Sequence, residues 1–337
     1  MPKKILLIDV SHLFFRAFFA IPRGLTSVDG EPINAIFGVS SMLLSMLESE
    51  CPQYIFGAKD EKEKTKRHEL VEEYKGQRPE MPSELVSQLP KIFDIFAAFH
   101  IPLCSISSYE ADDMIATIAE KYRKNLDFEV EAVSGDHDIF QLVGDNVYMG
   151  FPQNGGKPPL KMGREEVFTK CGVYPEQIPD YKSLVGDASD NFKGVDGVGK
   201  VTAAKLLQTY GTLEGIYEHL TEIPGKLQEK LAVGKERAIF LKPIATLHRD
   251  LELPEFELEK GNVNHIDFVA LEAFFKKMQF HSLLNRLPRA IASMLNPVSS
   301  PEHDKLWREF EEVEKKSFAE IQSDQAKKSA DDQMALF

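Results

Sequence analysis

Nine acidic residues stand where chemistry on a phosphate would need them. Asp9 ends the apolar run Ile5-Leu6-Leu7-Ile8, and Asp60 follows Tyr54-Ile55-Phe56-Gly57-Ala58-Lys59. Glu110, Asp112 and Asp113 lie together after Tyr109; Asp136 and Asp138 follow Val133-Ser134-Gly135; Asp187 and Asp190 stand in Gly186-Asp187-Ala188-Ser189-Asp190-Asn191. Carboxylates at the ends of buried strands repel one another unless a cation joins them. A group of this size points to hard divalent cations such as Mg²⁺, which take oxygen ligands, and to phosphate chemistry. Each residue alone also has a plainer role. Asp is common in turns after strands, and Ser107 with Glu110 fits a helix capping box. The joint pattern exceeds those roles. On a helix Glu110 and Asp113 share a face, and Asp136 and Asp138 share one side of an extended segment.

The elements that must position these residues read as short buried strands over Lys4–Asp9, Gln53–Ala58 and Phe128–Ser134, with a weaker one over Asn146–Gly150. Helical patterns over Asn34–Ser49, Ser83–Phe99 and Glu110–Lys124 separate them. Strands alternating with helices imply an α/β fold with a parallel sheet, and such sheets bind ligands outside the carboxyl ends of their strands. Asp9, Asp60, Asp136 and Asp138 fall at that edge. From about Tyr181 short helices take over: Lys200–Gln208, Leu213–His219, Gly234–Leu247 and Asp267–Met278. After Pro288 the chain reads as a linker, then a charged helix over Leu306–Ile321 and a disordered tail.

With 337 residues and 43% hydrophobic content the chain suits two domains, or one domain with a helical appendage. Its net charge of −13 argues against a protein that coats nucleic acid, but not against an enzyme that cuts it, because bound cations invert the local field. Cys51, Cys104 and Cys171 are odd in number and scattered, as in a reducing cytosol. The apolar run after Lys4 is too short for a signal peptide, and no run approaches a membrane span.

Two further segments stand out. Lys59–Arg78 carries seven basic residues interleaved with six acidic ones, directly after a strand end. It is either a solvated helix with ion pairs or a cover over the acidic edge. Gly194-Val195-Asp196-Gly197-Val198-Gly199-Lys200 superficially fits a phosphate-binding P-loop, but Val201 stands where Ser or Thr is needed and no strand precedes it. Gly197 and Gly199 leading into a helix instead resemble the hairpin of a helix–hairpin–helix. There glycines let the backbone approach a phosphate, and amides at the helix start meet it.

Taken in order, Leu6-Leu7-Ile8-Asp9, Phe15-Arg16-Ala17, Gly24-Leu25-Thr26, Arg67-His68-Glu69, Tyr74-Lys75, Tyr109-Glu110-Ala111-Asp112-Asp113, Gly135-Asp136-His137-Asp138, Gly186–Asn191 and the glycine hairpin resemble the 5′→3′ exonuclease and flap endonuclease family, which includes the nuclease domain of bacterial DNA polymerase I. The resemblance covers roughly Lys4 to Leu287. It implies a parallel-sheet, PIN-like (Rossmann-like) core over residues 1–180 with a helical arch over 60–90. A helical subdomain with a helix–three-turn–helix would span 181–289, and a linker and tail 290–337. It further implies two Mg²⁺ or Mn²⁺ ions, one held by Asp9, Asp60, Glu110, Asp112 and Asp113 and the other by Asp136, Asp138, Asp187 and Asp190. The family usually reads Phe-Asp-Ala-Lys where this chain has Phe56-Gly57-Ala58-Lys59, so either Gly57 leaves a ligand out or Asp60 takes its place. Arg16, Lys75 and Arg78 would meet phosphates near the cut, and Phe15 and Tyr74 would contact the nucleic acid. Lys193, Gly197, Gly199, Lys200 and Lys205 would grip duplex, with K⁺ at the hairpin carbonyls.

The resemblance implies a monomeric, cytoplasmic, nucleoid-associated bacterial protein that acts on 5′ flaps, nicks and RNA primer ends of DNA. The ending Gln333-Met334-Ala335-Leu336-Phe337 resembles the bacterial sliding-clamp-binding peptide through Gln333, Met334, Leu336 and Phe337, which favours a free-standing protein over the front of a polymerase. A catalytically reduced DNA-binding module and a PIN-like ribonuclease are the other readings.

Overall fold

The computed structural model describes residues 2–295 apart from 62, 72, 154–156 and 255, so the expected tail contacts at Gln333, Met334, Leu336 and Phe337 lie outside the described residues. Six strands form the main sheet: β1 (Lys3–Asp9), β2 (Tyr54–Ala58), β3 (Leu103–Cys104), β4 (Phe128–Val133), β5 (Val147–Phe151) and β6 (Leu160–Met162). Their order is β3-β2-β1-β4-β5-β6, parallel throughout except for β6. Strands covered on both faces read as continuous apolar runs, and Ile5 through Ile8 are buried accordingly. Ile8 pairs with Gly57 on one side and Val133 on the other. The strand order reverses between β1 and β4, so the crevice beyond their carboxyl ends is the switch point of the sheet. This is the expected α/β, PIN-like arrangement.

Leu6 and Ile8 face a core built by the helices Val10–Ala20, Asn34–Glu50 and Leu89–Ala98, and Ala111–Tyr122 lies against β1, β2 and β4. The single helix expected over Ser83–Phe99 is two, Ser83–Val86 and Leu89–Ala98. Pro90 stands in the first turn of the second, where a missing N–H costs nothing. Gln88, 1% exposed between them, accepts hydrogen bonds from the amides of Ala35 (2.9 Å) and Ile36 (3.3 Å), which the start of a helix otherwise leaves unpaired.

Beyond β6 come the helices Arg164–Cys171 and Ile178–Val185, the ribbon of β7 (Gly186–Asp187) and β8 (Phe192–Lys193), and the helices Lys200–Tyr210, Leu213–Glu218 and Gly225–Ala245. Gly234, expected near a helix start, lies inside the last of these. A Cβ there would come within 2.7 Å of Val195, so the glycine lets the helix lie against the hairpin. The linker expected after Pro288 is helix instead: His281–Leu295 runs through Pro288. Leu283, Leu287 and Ala290 enter the same core as Ile36 and Leu43, and Arg286 donates to Ser45 (2.8 Å) and Glu48 (2.8 Å). The helices Phe268–Lys277 and His281–Leu295 therefore rejoin the sheet's core rather than the helical part expected over 181–289, and the described residues form one compact unit.

Candidate metal centre

Asp9 is the last residue of β1 and caps the helix that follows, accepting hydrogen bonds from the amide of His12 (2.9 Å) and from Ser134 Oγ beyond β4 (2.9 Å). Burial, reinforced by Asp60 and Asp136, pushes its carboxyl up to about 6. Gly57 offers no room for a ligand: a Cβ there would sit 2.7 Å from Leu103 and 2.9 Å from Val10. Asp60, three residues on, accepts from Ser11 Oγ (2.8 Å) and the amide of Ala111 (2.9 Å), so it ties together the starts of two helices beside Asp9. Asp136 caps the turn His137–Leu142 through the amide of Asp138 (2.9 Å). Burial raises its carboxyl, but Lys182, that amide and Lys75 outweigh burial and hold it low.

The Glu110 group separates into different roles. Glu110 Oε1 accepts from Lys75 Nζ (2.7 Å) and Oε2 from Arg67 (2.8 Å) and Tyr74 (3.1 Å). Asp113, 1% exposed, accepts two hydrogen bonds from Arg67 (2.7 and 2.8 Å) and one each from the amides of Glu110 (3.2 Å) and His248 (2.9 Å). Four donors meet a carboxylate with about four acceptor sites, so Asp113 anchors the turn that carries Glu110. Asp112 is the opposite case. Its Oδ1 is buried with no hydrogen-bond partner, and burial, with Asp113 and Glu110 adding, lifts its carboxyl well above the usual range.

One carboxylate oxygen each from Asp138, Asp187 and Asp190 lies within 4.8 Å of the other two. The buried Lys182, from the helix Ile178–Val185, enters this group: its ammonium is 2.6 Å from Asp187 and against Asp138. Burial pushes Asp138 up to about 7 in spite of that contact, and its Oδ1 has no partner of hydrogen-bond geometry. Burial also opposes ionisation of Asp187, yet Lys182 and the Ser189 donors hold it down at about 2. Asp190 is raised by burial and accepts from Arg78 (3.0 Å) and Tyr74 (3.3 Å).

The segment Tyr74–Arg78 is thus seated on the carboxylates. Tyr74, expected to contact nucleic acid, is 3% exposed, with its hydroxyl spent on Glu110 and Asp190 and its ring against Phe192 and Ile244. Lys75 has a positive φ of 55° and its amide donates to the carbonyl of Asp190 (3.2 Å). Phe15 and Arg16 are half-buried on the helix that starts at Asp9. In the hairpin Gly197 has φ +75°, Gly199 begins the helix Lys200–Tyr210 with open space around it, and Lys193, Lys200 and Lys205 are exposed.

Three participants escaped the sequence reading. Lys182 carries no motif signal, being one polar residue on an amphipathic helix. Arg67 reads as one more cation of the basic segment but is 4% exposed. His12 packs its ring so close over Gly135 that a Cβ there would lie 2.2 Å from it. Its Nε2 is buried without a partner, and burial, with Arg16 adding, pushes the ring's pKa below the usual histidine value.

Residues 4–172 match the family model of the 5′-3′ exonuclease N-terminal resolvase-like domain, and residues 173–268 that of the 5′-3′ exonuclease C-terminal SAM fold. The chain is 37% identical to a DNA polymerase I of Caldicellulosiruptor bescii over 286 residues, covering 84% of this chain and 33% of that one. It is 36% identical to a 5′-3′ exonuclease of Aquifex aeolicus, covering 85% of this chain and 96% of that one. It spans about a third of the length of the polymerase relatives it matches. Among solved structures it superposes on the T5 D15 protein co-crystallised with metal ions with a TM-score of 0.58 at 21% identity, covering 82% of this chain and 99% of that one, which shows a shared fold.

Proposed function

The chain belongs to the 5′-3′ exonuclease family, and on that premise we propose that it is a structure-specific 5′ nuclease. It would hydrolyse phosphodiester bonds at 5′ flaps, nicks and 5′ ends, RNA primer ends included, in replication and repair. The observation that carries this reading is the gathering of carboxylates from five chain segments around the switch point of the sheet. The donor set suits a hard divalent cation: it is all oxygen, and the buried Oδ1 atoms of Asp112 and Asp138 lack hydrogen-bond partners. Asp9, Asp60, Glu110 and Asp112 would hold one Mg²⁺ or Mn²⁺, and Asp136, Asp138, Asp187 and Asp190 the other, with Asp113 as a support. When bound, the cations supply Lewis-acid activation of water and neutralise charge on the phosphate.

The remaining roles fall to the chain's own groups. Lys75 and Arg78, now paired with Glu110 and Asp190, would exchange those carboxylates for substrate phosphates, and Arg16, on the helix that Asp9 caps, would meet a phosphate near the cut. Phe15 would stack on a base. The hairpin from Gly194 to Lys200, with K⁺ at its carbonyls, would grip duplex without reading sequence. The protein would act as a cytoplasmic monomer, tethered by residues 333–337 to the sliding clamp. Deleting those residues should leave cleavage of free DNA intact and abolish clamp pull-down; unchanged pull-down removes that partner. The central test is a 5′-labelled flap incubated with Mg²⁺ or EDTA, using wild type and Asp136→Ala. Cleavage in Mg²⁺ alone, and by the wild type alone, is expected. Cleavage that persists in EDTA or in the variant defeats the proposal.

A further inference from the structure

Arg67 is the one cation of the basic segment that solvent does not reach among those described, at 4% exposure. A guanidinium has five N–H donors in a fixed fork, and all five bonds are made inside the protein. Nη1 donates to Glu110 Oε2 (2.8 Å) and Asp113 Oδ2 (2.8 Å), and Nη2 to Asp113 Oδ1 (2.7 Å) and the carbonyl of Thr246 (3.3 Å). Nε donates to the carbonyl of Ile244 (3.0 Å). Ile244 and Thr246 stand at the carboxyl end of the helix Gly225–Ala245. Terminal carbonyls there lack intrahelical partners and carry the negative end of the helix dipole. Asp113 closes the circuit by accepting from the amides of Glu110 (3.2 Å) and His248 (2.9 Å). The middle of the same helix lies against the hairpin, where Gly234 meets Val195.

We infer that Arg67 is a positioning residue that fixes the Glu110 carboxylate relative to the helix Gly225–Ala245, so that one buried side chain sets the cutting edge of the sheet in register with the DNA-gripping hairpin. The inference rests on the nuclease reading above for its catalytic consequence. Arg67 is thereby separated from Lys75 and Arg78: it does not touch substrate. Three charges explain why it must be a cation. Glu110, Asp112 and Asp113 crowd one turn, and its ammonium-free planar fork reaches two of them and two carbonyls together. A lysine keeps the charge but not the fork.

The test uses the full chain carrying Arg67→Lys or Arg67→Met. Hydrogen exchange is read at the amides of Glu110 and His248, Mn²⁺ binding by calorimetry, flap binding by anisotropy in EDTA, and cleavage in Mg²⁺. Arg67→Lys should fold and bind the flap with an unchanged Kd. Its Mn²⁺ affinity or kcat should drop about 10- to 100-fold, the usual effect of losing a group that orients a metal ligand, and exchange at His248 and Glu110 should quicken. Where Arg67→Met fails to fold, the lysine variant carries the test. Wild-type exchange, Mn²⁺ affinity and kcat in Arg67→Lys overturn the inference, as does weaker flap binding at unchanged kcat, which would make Arg67 a phosphate contact. If the wild type itself cleaves nothing, the nuclease reading fails, while exchange at His248 still decides the positioning role.

Discussion

Lys182 Nζ lies 2.6 Å from Asp187 Oδ2 and against Asp138, so one buried ammonium serves two carboxylates that titrate far apart. Asp187, which also accepts from Ser189, stays ionised down to about 2, whereas burial lifts Asp138 to about 7 and Asp9 to about 6. A carboxyl whose folded value is raised binds its proton more tightly in the folded state. The folded state is therefore favoured at low pH and loses stability as pH rises from the unfolded value near 4 through 6 to 7. Asp187 has the opposite sign, but its loss occurs only below about 4. In EDTA, Tm should fall between pH 5 and pH 8, and added Mg²⁺ should raise Tm more at pH 8 than at pH 5. A metal-induced Tm shift larger at pH 5 would contradict these ionisation states.

The alternative between Gly57 and Asp60 can be separated by pairing two substitutions. Asp60→Asn should lower kcat at least about 10-fold, as loss of a charged metal ligand exceeds loss of its supports. Gly57→Ala should instead lower stability by about 1–3 kcal/mol through overpacking, because the added methyl meets Leu103 and Val10. Urea unfolding and single-turnover cleavage measured on both proteins check the assignment; an unchanged kcat in Asp60→Asn would mean that Gly57 leaves this ligand out and that Asp60 does not replace it.

The exposed lysines at the hairpin should act on affinity alone. Lys200→Ala and Lys205→Ala are each expected to weaken flap binding and to reduce the slope of log K against log salt by about 1, with kcat unchanged. Anisotropy titrations at several salt concentrations measure the slope. An unchanged slope would take the hairpin out of the phosphate contacts.

Gln88 offers a test of the fold apart from the site. Gln88→Ala leaves the buried amides of Ala35 and Ile36 unpaired and should cost about 1–3 kcal/mol in unfolding free energy, with Mn²⁺ affinity unchanged. Chemical denaturation beside calorimetry distinguishes the two effects.

The parallel strands were legible because burial on both faces leaves an apolar run that stops abruptly at a polar residue, as Ile5–Ile8 stops at Asp9. The same stops made the acidic residues conspicuous. What the residues do for one another was not legible, since it depends on contacts far apart in sequence. Asp113 reads like Asp112 until Arg67 and His248 are seen to occupy it. Strands as short as Leu103–Cys104 carry no period of their own and exist only because β2 is there to pair with them. Pro288 read as the end of folded structure because it cannot donate a hydrogen bond, yet Leu287 and Ala290 are buried on either side of it, and that packing outweighs one missing donor.

The return of Phe268–Lys277 and His281–Leu295 to the core behind β1 also dictates an order of events during synthesis. Leu6, Ile36 and Leu43 leave the ribosome early but find Leu283 and Leu287 only some 250 residues of translation later. Until then the apolar face of the helix Asn34–Glu50 is incompletely covered, a state in which nascent chains associate wrongly. The intervening helices then close as a long excursion whose two ends are fastened to the same sheet, and contacts of such sequence separation make folding slow.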